Sequence, residues 1–156
     1  MLDLKSIVLV FLGGGIGSSI RYIITKYSTK NYISFPLGTS ISNLIGCLII
    51  GLLIAYYDKN DIPKSDTFIF VSMGFCGGLT TFSSLMLDIL YLIKSENFLY
   101  LLTYLSLNFI VGFFFVYIGF LIFRWFRYFY KILNFDIKNL SMSKKLQCRN
   151  YILRNS

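Results

Sequence analysis

The sequence predicts an all-α integral membrane protein with four transmembrane helices per subunit, and two observations carry that prediction. The first is composition: 56% of the 156 residues are hydrophobic and 14% are charged, with a mean hydropathy of +0.67. Soluble domains carry about 25% charged residues and about 45–50% apolar ones, so this chain has too little polar material to clothe a water-facing surface. The second is the placement of charge. It leaves four long gaps, each near the roughly 20 apolar residues that cross about 30 Å of hydrocarbon. A soluble enzyme and a disordered chain do not fit this pattern. With no histidine, a histidine-ligated metal site does not fit either.

The spans follow in order. Between Lys5 and Arg21 lie 15 uncharged residues, extended by Tyr22–Thr25, which gives a first span at about 6–25. Between Lys30 and Asp58 lie 27, giving 36–57. Asp66 and Asp88 enclose 21, with Ile89–Ile93 beyond, giving 67–93 with Asp88 close to its end. Glu96 and Arg124 enclose 27, giving 97–123. We therefore expect a four-helix transmembrane domain over 1–123 and a separate tail over 124–156. The first span is not read as a secretory signal, because it continues through Arg21 without a small-x-small cleavage site. A membrane barrel is set aside because its strands alternate and run about 9–11 residues. Cys47, Cys76 and Cys148 form no C-x-x-C pair, and their odd number gives no disulfide framework.

The informative residues are those that do not belong in oil. Arg21 follows Gly13-Gly14-Gly15-Ile16-Gly17 inside the first span. Two readings stand for it: a functional cation, or an arginine snorkelling from the span's end. The glycines themselves suit close helix packing through small-xxx-small spacing, Gly13 to Gly17. The second span opens with Pro36, which suits a first helical turn. Its Thr39, Asn43 and Gly46 recur at i, i+4 and i+7, either as interhelical hydrogen-bonding groups or as a polar track lining a pore. The third span carries Gly74-Phe75-Cys76-Gly77-Gly78-Leu79-Thr80-Thr81-Phe82-Ser83-Ser84. Adjacent glycines followed by β-branched residues weaken a helix, so this helix is expected to break mid-membrane. Such a break survives only against protein or a water-filled cavity. Its freed carbonyls can hold a cation and its N–H or hydroxyl groups an anion; a bare kink is the plainer reading. In the fourth span Tyr104, Asn108 and Gly112 share one face. No nucleophile with a base, phosphate loop or metal cluster is present, nor a paired set of intramembrane acids and bases.

The formal net charge of +8 belongs to the tail. Residues 1–123 hold seven basic and six acidic residues, whereas 124–156 hold eight basic residues against Asp136 alone. With four spans, Lys5, Lys59 and Lys64 face one compartment and Lys26, Lys30 and Lys94 the other. The positive-inside rule is then undecided for the bare bundle, and the tail tips it toward a cytoplasmic C-terminus. Contact with anionic lipid headgroups is a further role for such a tail. Nothing interleaves its charges into a nucleic-acid reading motif, so no nucleic-acid partner is expected.

Three motifs, one per successive span, make the chain resemble the Fluc (CrcB-type) fluoride channels over residues 1 to about 123. They are Gly14-Gly-Ile-Gly-Ser-Ser-Ile-Arg21-Tyr22, then Pro36-Leu-Gly-Thr39-Ser-Ile-Ser-Asn43-Leu-Ile-Gly46, then Gly74-Phe-Cys-Gly77-Gly-Leu-Thr80-Thr-Phe82-Ser83. The resemblance implies an antiparallel, dual-topology-type dimer in the bacterial inner (plasma) membrane, with two fluoride pores. It implies a structural sodium ion (Na+) at the dimer centre, held by the Gly77 and Thr80 carbonyls of both subunits. It places Asn43, Phe82, Ser83, Ser84 and Tyr104 along the pore and Arg21 near its entrance. Thr39 and Asn108 add hydroxyl and amide donors, which are what a tightly hydrated anion needs in place of water. The positive edge of the Phe82 ring could meet the anion without trapping it.

This sequence departs from the family at two places. Leu85 stands where a second phenylalanine is usual, and Asn108 where the fourth span has a serine. The main expectation is a passive channel for fluoride efflux, and hence resistance to fluoride, and not an enzyme. Its rivals are a coupled small-ion transporter and a degenerate structural partner in a heterodimeric channel. The basic tail bears on the second, since inverting half the copies would export eight basic residues each time. The chain would then pair with a homologous subunit rather than with itself.

Overall fold

The computed structural model describes residues 3–28, 35–57 and 65–154, the stretch 135–154 as helical backbone only. Lys30, Lys59 and Lys64, used above in the orientation count, lie outside the described residues. Every regular element described is helical: α1 Leu4–Ser28, α2 Leu37–Tyr57, α3 (residues 66–79), α4 Phe82–Lys94, α5 Phe98–Ser106 and α6 Gly112–Arg154. The middle of α3, Ile69–Cys76, is wound as π-helix, and a second π-helical stretch, Leu107–Val111, joins α5 to α6. Four stretches are long and apolar enough to cross a membrane: Leu4–Ser28, Leu37–Tyr57, Asp66–Lys94 and Phe98–Asn134. The fourth extends past the end expected at 123. The tail is helical to Arg154.

The chain divides into two compact units, Met1–Ile122 and Phe123–Ser156. In the first, α1 lies against α3 through glycine on both sides. Gly13 and Gly17 are buried on α1. A methyl group at Gly13 would strike the Phe70 carbonyl, and one at Gly17 the Phe75 carbonyl. Conversely, one at Gly74 would meet the Gly13 Cα, and one at Gly78 the Gly14 carbonyl. Two small-xxx-small pairs therefore face each other, and their backbones approach closely enough for dispersion to hold the helices together in lipid. A second such contact joins α2 to α6, where a methyl at Gly51 would meet the Val116 carbonyl and one at Gly119 the Leu48 carbonyl.

Local chemistry sets the helix ends. Pro36 precedes α2, where a missing N–H is harmless. The Asn97 side chain accepts from the Tyr100 N–H at 3.4 Å and caps α5. Between α4 and α5 the chain turns at Ser95-Glu96, with Glu96 in the left-handed region at φ 55°. Leu85, Ile89 and Leu92, at i, i+4 and i+7 on α4, pack with Tyr104 and Leu101 of α5 and with Phe35. The Phe35 ring meets Tyr100 and Tyr104 edge-on, at 5.9 and 5.7 Å between centroids. At the opposite end of α3, Lys5 pairs with Asp66. Both side chains are more than half exposed there, so the pair adds little stability.

The remaining surface is apolar. Phe11, Met73, Phe109 and Phe113 are among the large side chains left mostly uncovered, which is the surface a bilayer or a second subunit covers. Within the second unit Trp125 and Phe129 stack with centroids 5.6 Å apart. The Arg127 guanidinium there lies 5.5 Å from the Phe123 ring centroid. The glycine contacts yield a prediction. Gly17→Val forces a side chain into backbone and should lower stability by about 3 kcal/mol. Gly15→Ala, where nothing lies within 4 Å, should be neutral. Thermal unfolding of the two variants in detergent, followed by size-exclusion, measures the difference.

Candidate functional site

Between α3 and α4 the backbone is extended at Thr80 (φ −81°, ψ 156°) and Thr81 (φ −151°, ψ 120°). β-branched residues sit comfortably in that conformation, and Gly77-Gly78 before them offers little helix propensity. The interruption redirects hydrogen bonds that an unbroken helix would close on itself. Thr80 still donates its N–H (2.9 Å) and its hydroxyl (2.8 Å) to the Cys76 carbonyl. The Thr81 N–H, which would otherwise reach the Gly77 carbonyl, donates instead to Asn43 Oδ1 at 2.9 Å. The Gly78 carbonyl, whose helical donor would be Phe82, accepts from Arg21 Nε at 3.1 Å. Thr81 Oγ1 accepts from the Ser84 N–H at 3.2 Å and so caps α4.

Asn43 carries the chain of contacts onward. Its Nδ2 donates to Asn108 Oδ1 at 3.1 Å. Asn108 Nδ2 in turn donates to Ser40 Oγ at 3.0 Å and to the Tyr104 carbonyl at 2.9 Å. The Tyr104 hydroxyl donates to Asp88 Oδ2 at 2.7 Å. Thr39 and Ser40 also offer hydroxyls to that phenol. A continuous polar seam thus runs from Asp88 through Tyr104, Ser40, Asn108 and Asn43 to the α3–α4 junction. Its α2–α5 part is buried, with Tyr104 fully covered, Ser40 1% exposed and the neighbouring Thr39 6%, whereas Asp88, Asn108 and Asn43 are half-buried. A cavity of about 430 Å³ opens beside the seam, with Asn43, Asn108, Gly77, Thr80, Phe82 and Leu85 on its wall.

The structure therefore brings Asn43, Asn108, Phe82, Gly77 and Thr80 to one wall. Ser83 and Ser84 lie just beyond it, joined to the junction through Thr81 Oγ1 at 3.2 and 3.1 Å. Thr39 and Tyr104 belong to the buried part of the seam and not to the cavity. Arg21 stands apart on α1, half-buried, and its bond to the Gly78 carbonyl braces α3. Phe82 is 69% exposed and makes no part of the packed core. Leu85, by contrast, is 3% exposed and belongs to the core around Tyr104.

Three participants escaped the sequence reading. Ser40 was passed over beside Thr39, although it is three residues before Asn43 and hence on the same helical face. Thr81 was read as a helix breaker only, and its bonding to α2 needed the fold. Asp88, six residues before the end of the third span as expected, was given no partner, and it pairs with Tyr104.

A model of the family described as CrcB-like protein, Camphor Resistance (CrcB), matches residues 8–120, which takes in the seam, the junction and Arg21. The chain belongs to the CrcB family. It is similar to a "Fluoride-specific ion channel FluC" of Azobacteroides pseudotrichonymphae genomovar. CFP2, 39% identical over 124 residues, covering 79% of this chain and 99% of that one. Proteins of the same name in Serratia proteamaculans (39% over 105 residues, 67% and 83% covered) and Flavobacterium psychrophilum (37% over 111, 70% and 89%) are also similar. Like its CrcB relatives, the chain is a multi-pass membrane protein. Residues 121–156 lie beyond the family match.

The CrcB signature near Arg21 makes a testable claim about the junction. Arg21→Met removes a donor from the Gly78 carbonyl and should cost about 2 kcal/mol, the desolvation of an unpaired buried acceptor. Arg21→Lys should recover part of it. Thermal unfolding midpoints of the two variants in one detergent decide the matter.

Proposed function

We propose that this chain is a channel subunit that conducts fluoride passively across the plasma membrane, and so lets cytoplasmic fluoride leave the cell. The relatives bear the name of fluoride-specific channels, and the observation that carries the reading to these residues is the cavity wall. Neutral donors stand there in an otherwise apolar bundle. Asn43 has two amide hydrogens, of which its bond to Asn108 uses one. Fluoride gives up its water only to donors of comparable strength. A wall of amides and hydroxyls replaces hydration without the full charge that would hold the ion in place. Phe82, exposed beside this wall, offers a ring edge of positive potential. In the proposed pore Ser83, Ser84 and Tyr104 extend the track, Thr39 and Asn108 hold it, and Arg21 attracts anions near its entrance.

The same reading assigns a structural sodium ion to the junction, treated as a helix broken at membrane depth. The donor set fits. With the Thr81 N–H drawn to Asn43, the Gly77 carbonyl lacks its helical donor, and carbonyl oxygens are hard ligands suited to a hard cation. Gly77 and Thr80 would hold the ion, supplied once from each subunit of an antiparallel dimer. Its charge would favour an anion nearby. The exposed apolar faces of the bundle give the dimer a surface to bury. Efflux driven by the fluoride gradient needs no titratable relay and no chemistry, consistent with a channel family rather than an enzyme.

The second subunit is either a copy of this chain or a homologue inserted the other way up. The basic tail favours the homologue, because it holds each copy's C-terminus in the cytoplasm. Labelling an introduced C-terminal tag from each side of the membrane tests this, and labelling from the cytoplasmic side only is expected. Equal labelling from both sides would mean a homodimer. For the pore, fluoride efflux from liposomes is the measurement, read with a fluoride electrode. Asn43→Ala and Phe82→Ile should each slow it at least about 100-fold, equivalent to about 2.7 kcal/mol in barrier, whereas Leu85→Phe should leave it intact.

A further inference from the structure

We infer that the C-terminal extension, outside the CrcB match, is an anionic-lipid-binding helix. Helix α6 runs unbroken from Gly112 to Arg154, while the family match ends at residue 120. Residues 121–156 therefore lie beyond the stretch that the family model covers. Residues 124–156 carry eight basic residues and one acid. Six of the eight, Arg124, Arg127, Lys131, Lys138, Lys145 and Arg149, are spaced 3, 4, 7, 7 and 4 apart. At about 100° per residue those positions fall within a roughly 60° arc of the helix. Phe126, Tyr130, Leu133, Ile137 and Leu140, at i, i+4, i+7, i+11 and i+14, hold register positions on the opposite side. A cationic stripe backed by an apolar one is the pattern of helices that bind at a charged membrane surface.

The occupant is identified by charge and by position. The first cations stand at the end of an apolar stretch long enough to cross a bilayer, Phe98–Asn134. Beside them Trp125, Tyr128 and Tyr130 are each more than half exposed, as amphipathic rings at a headgroup boundary are. The partner that meets Arg124, Arg127 and Lys131 there is a leaflet bearing negative headgroups, whose attraction for basic residues fades beyond a Debye length. A nucleic acid would be met only farther from the bilayer. The inference does not depend on conduction, since it concerns a segment beyond the pore.

The sole tryptophan, Trp125, is a native probe. The full chain is reconstituted in bilayers of phosphatidylcholine and phosphatidylglycerol, with bromine on the acyl chains of one lipid or the other at equal mole fraction. The brominated anionic lipid should quench Trp125 about threefold more strongly than the zwitterionic one. The preference should vanish near 1 M salt, where the Debye length is about 3 Å. It should also vanish in a variant carrying Lys131→Gln, Lys138→Gln and Lys145→Gln. Equal quenching by both lipids at low salt in the unaltered protein would overturn the inference, as would a preference that survives in the triple variant. The salt titration needs no substitution, so it decides the question even where the variant fails to insert. Binding of RNA to the chain without any lipid preference would overturn it as well.

Discussion

A polypeptide inside hydrocarbon has to satisfy its own backbone, and the rest of this structure is arranged around the place where its helix does not. At the junction the Thr81 N–H does not close on the Gly77 carbonyl, nor the Phe82 N–H on the Gly78 carbonyl, and hydrocarbon offers nothing in their place. Two neighbouring helices and the segment itself answer. Helix α2 sends Asn43 to the Thr81 amide, α1 sends Arg21 to the Gly78 carbonyl, and Thr80 folds its hydroxyl back on Cys76. The glycine contacts between α1 and α3 serve the same end. Only helices that approach almost backbone to backbone bring a side chain as short as Asn43, or a donor held as close as Arg21 Nε, to carbonyls and amides of the neighbour.

The polar seam follows from that first constraint. With the Asn43 carbonyl oxygen committed to the Thr81 N–H, its amide nitrogen donates to Asn108, and Asn108 satisfies itself on Ser40 and the Tyr104 carbonyl. Each member covers another's need, so no buried side-chain nitrogen or oxygen among the described residues lacks a partner. A seam of neutral donors tolerates burial without a counter-charge, whereas fixed cations in its place would need anions permanently beside them. The arrangement suits transit of a small anion for the same reason that it folds.

Much of this was legible in the chain itself. Gaps between charges gave the four spans, because lipid leaves composition little freedom. The glycine-threonine run gave the position of the interruption, because intrinsic propensity is lost there over several consecutive residues. Asn43 and Asn108 stood out as polar residues on recurring helical faces, whereas Phe82 was singled out only by the resemblance to the fluoride channels. What stayed hidden was pairing. Nothing about Asp88 in isolation predicts that Tyr104, 16 residues on, takes its carboxylate, and nothing about Arg21 tells a brace from an interfacial anchor. Those facts depend on which helix lies beside which, and periodicity within one helix does not encode its neighbour.

The amide on the cavity wall also ties down the backbone of another helix, so in the proposed pore bore and frame would be a single object at Asn43. Widening or narrowing the passage there would loosen the joint that keeps the two halves of the interrupted segment in register. Such a passage resists being retuned for a larger halide by small steps at this position. Any such change has to begin at residues like Phe82, which border the space yet hold nothing else in place.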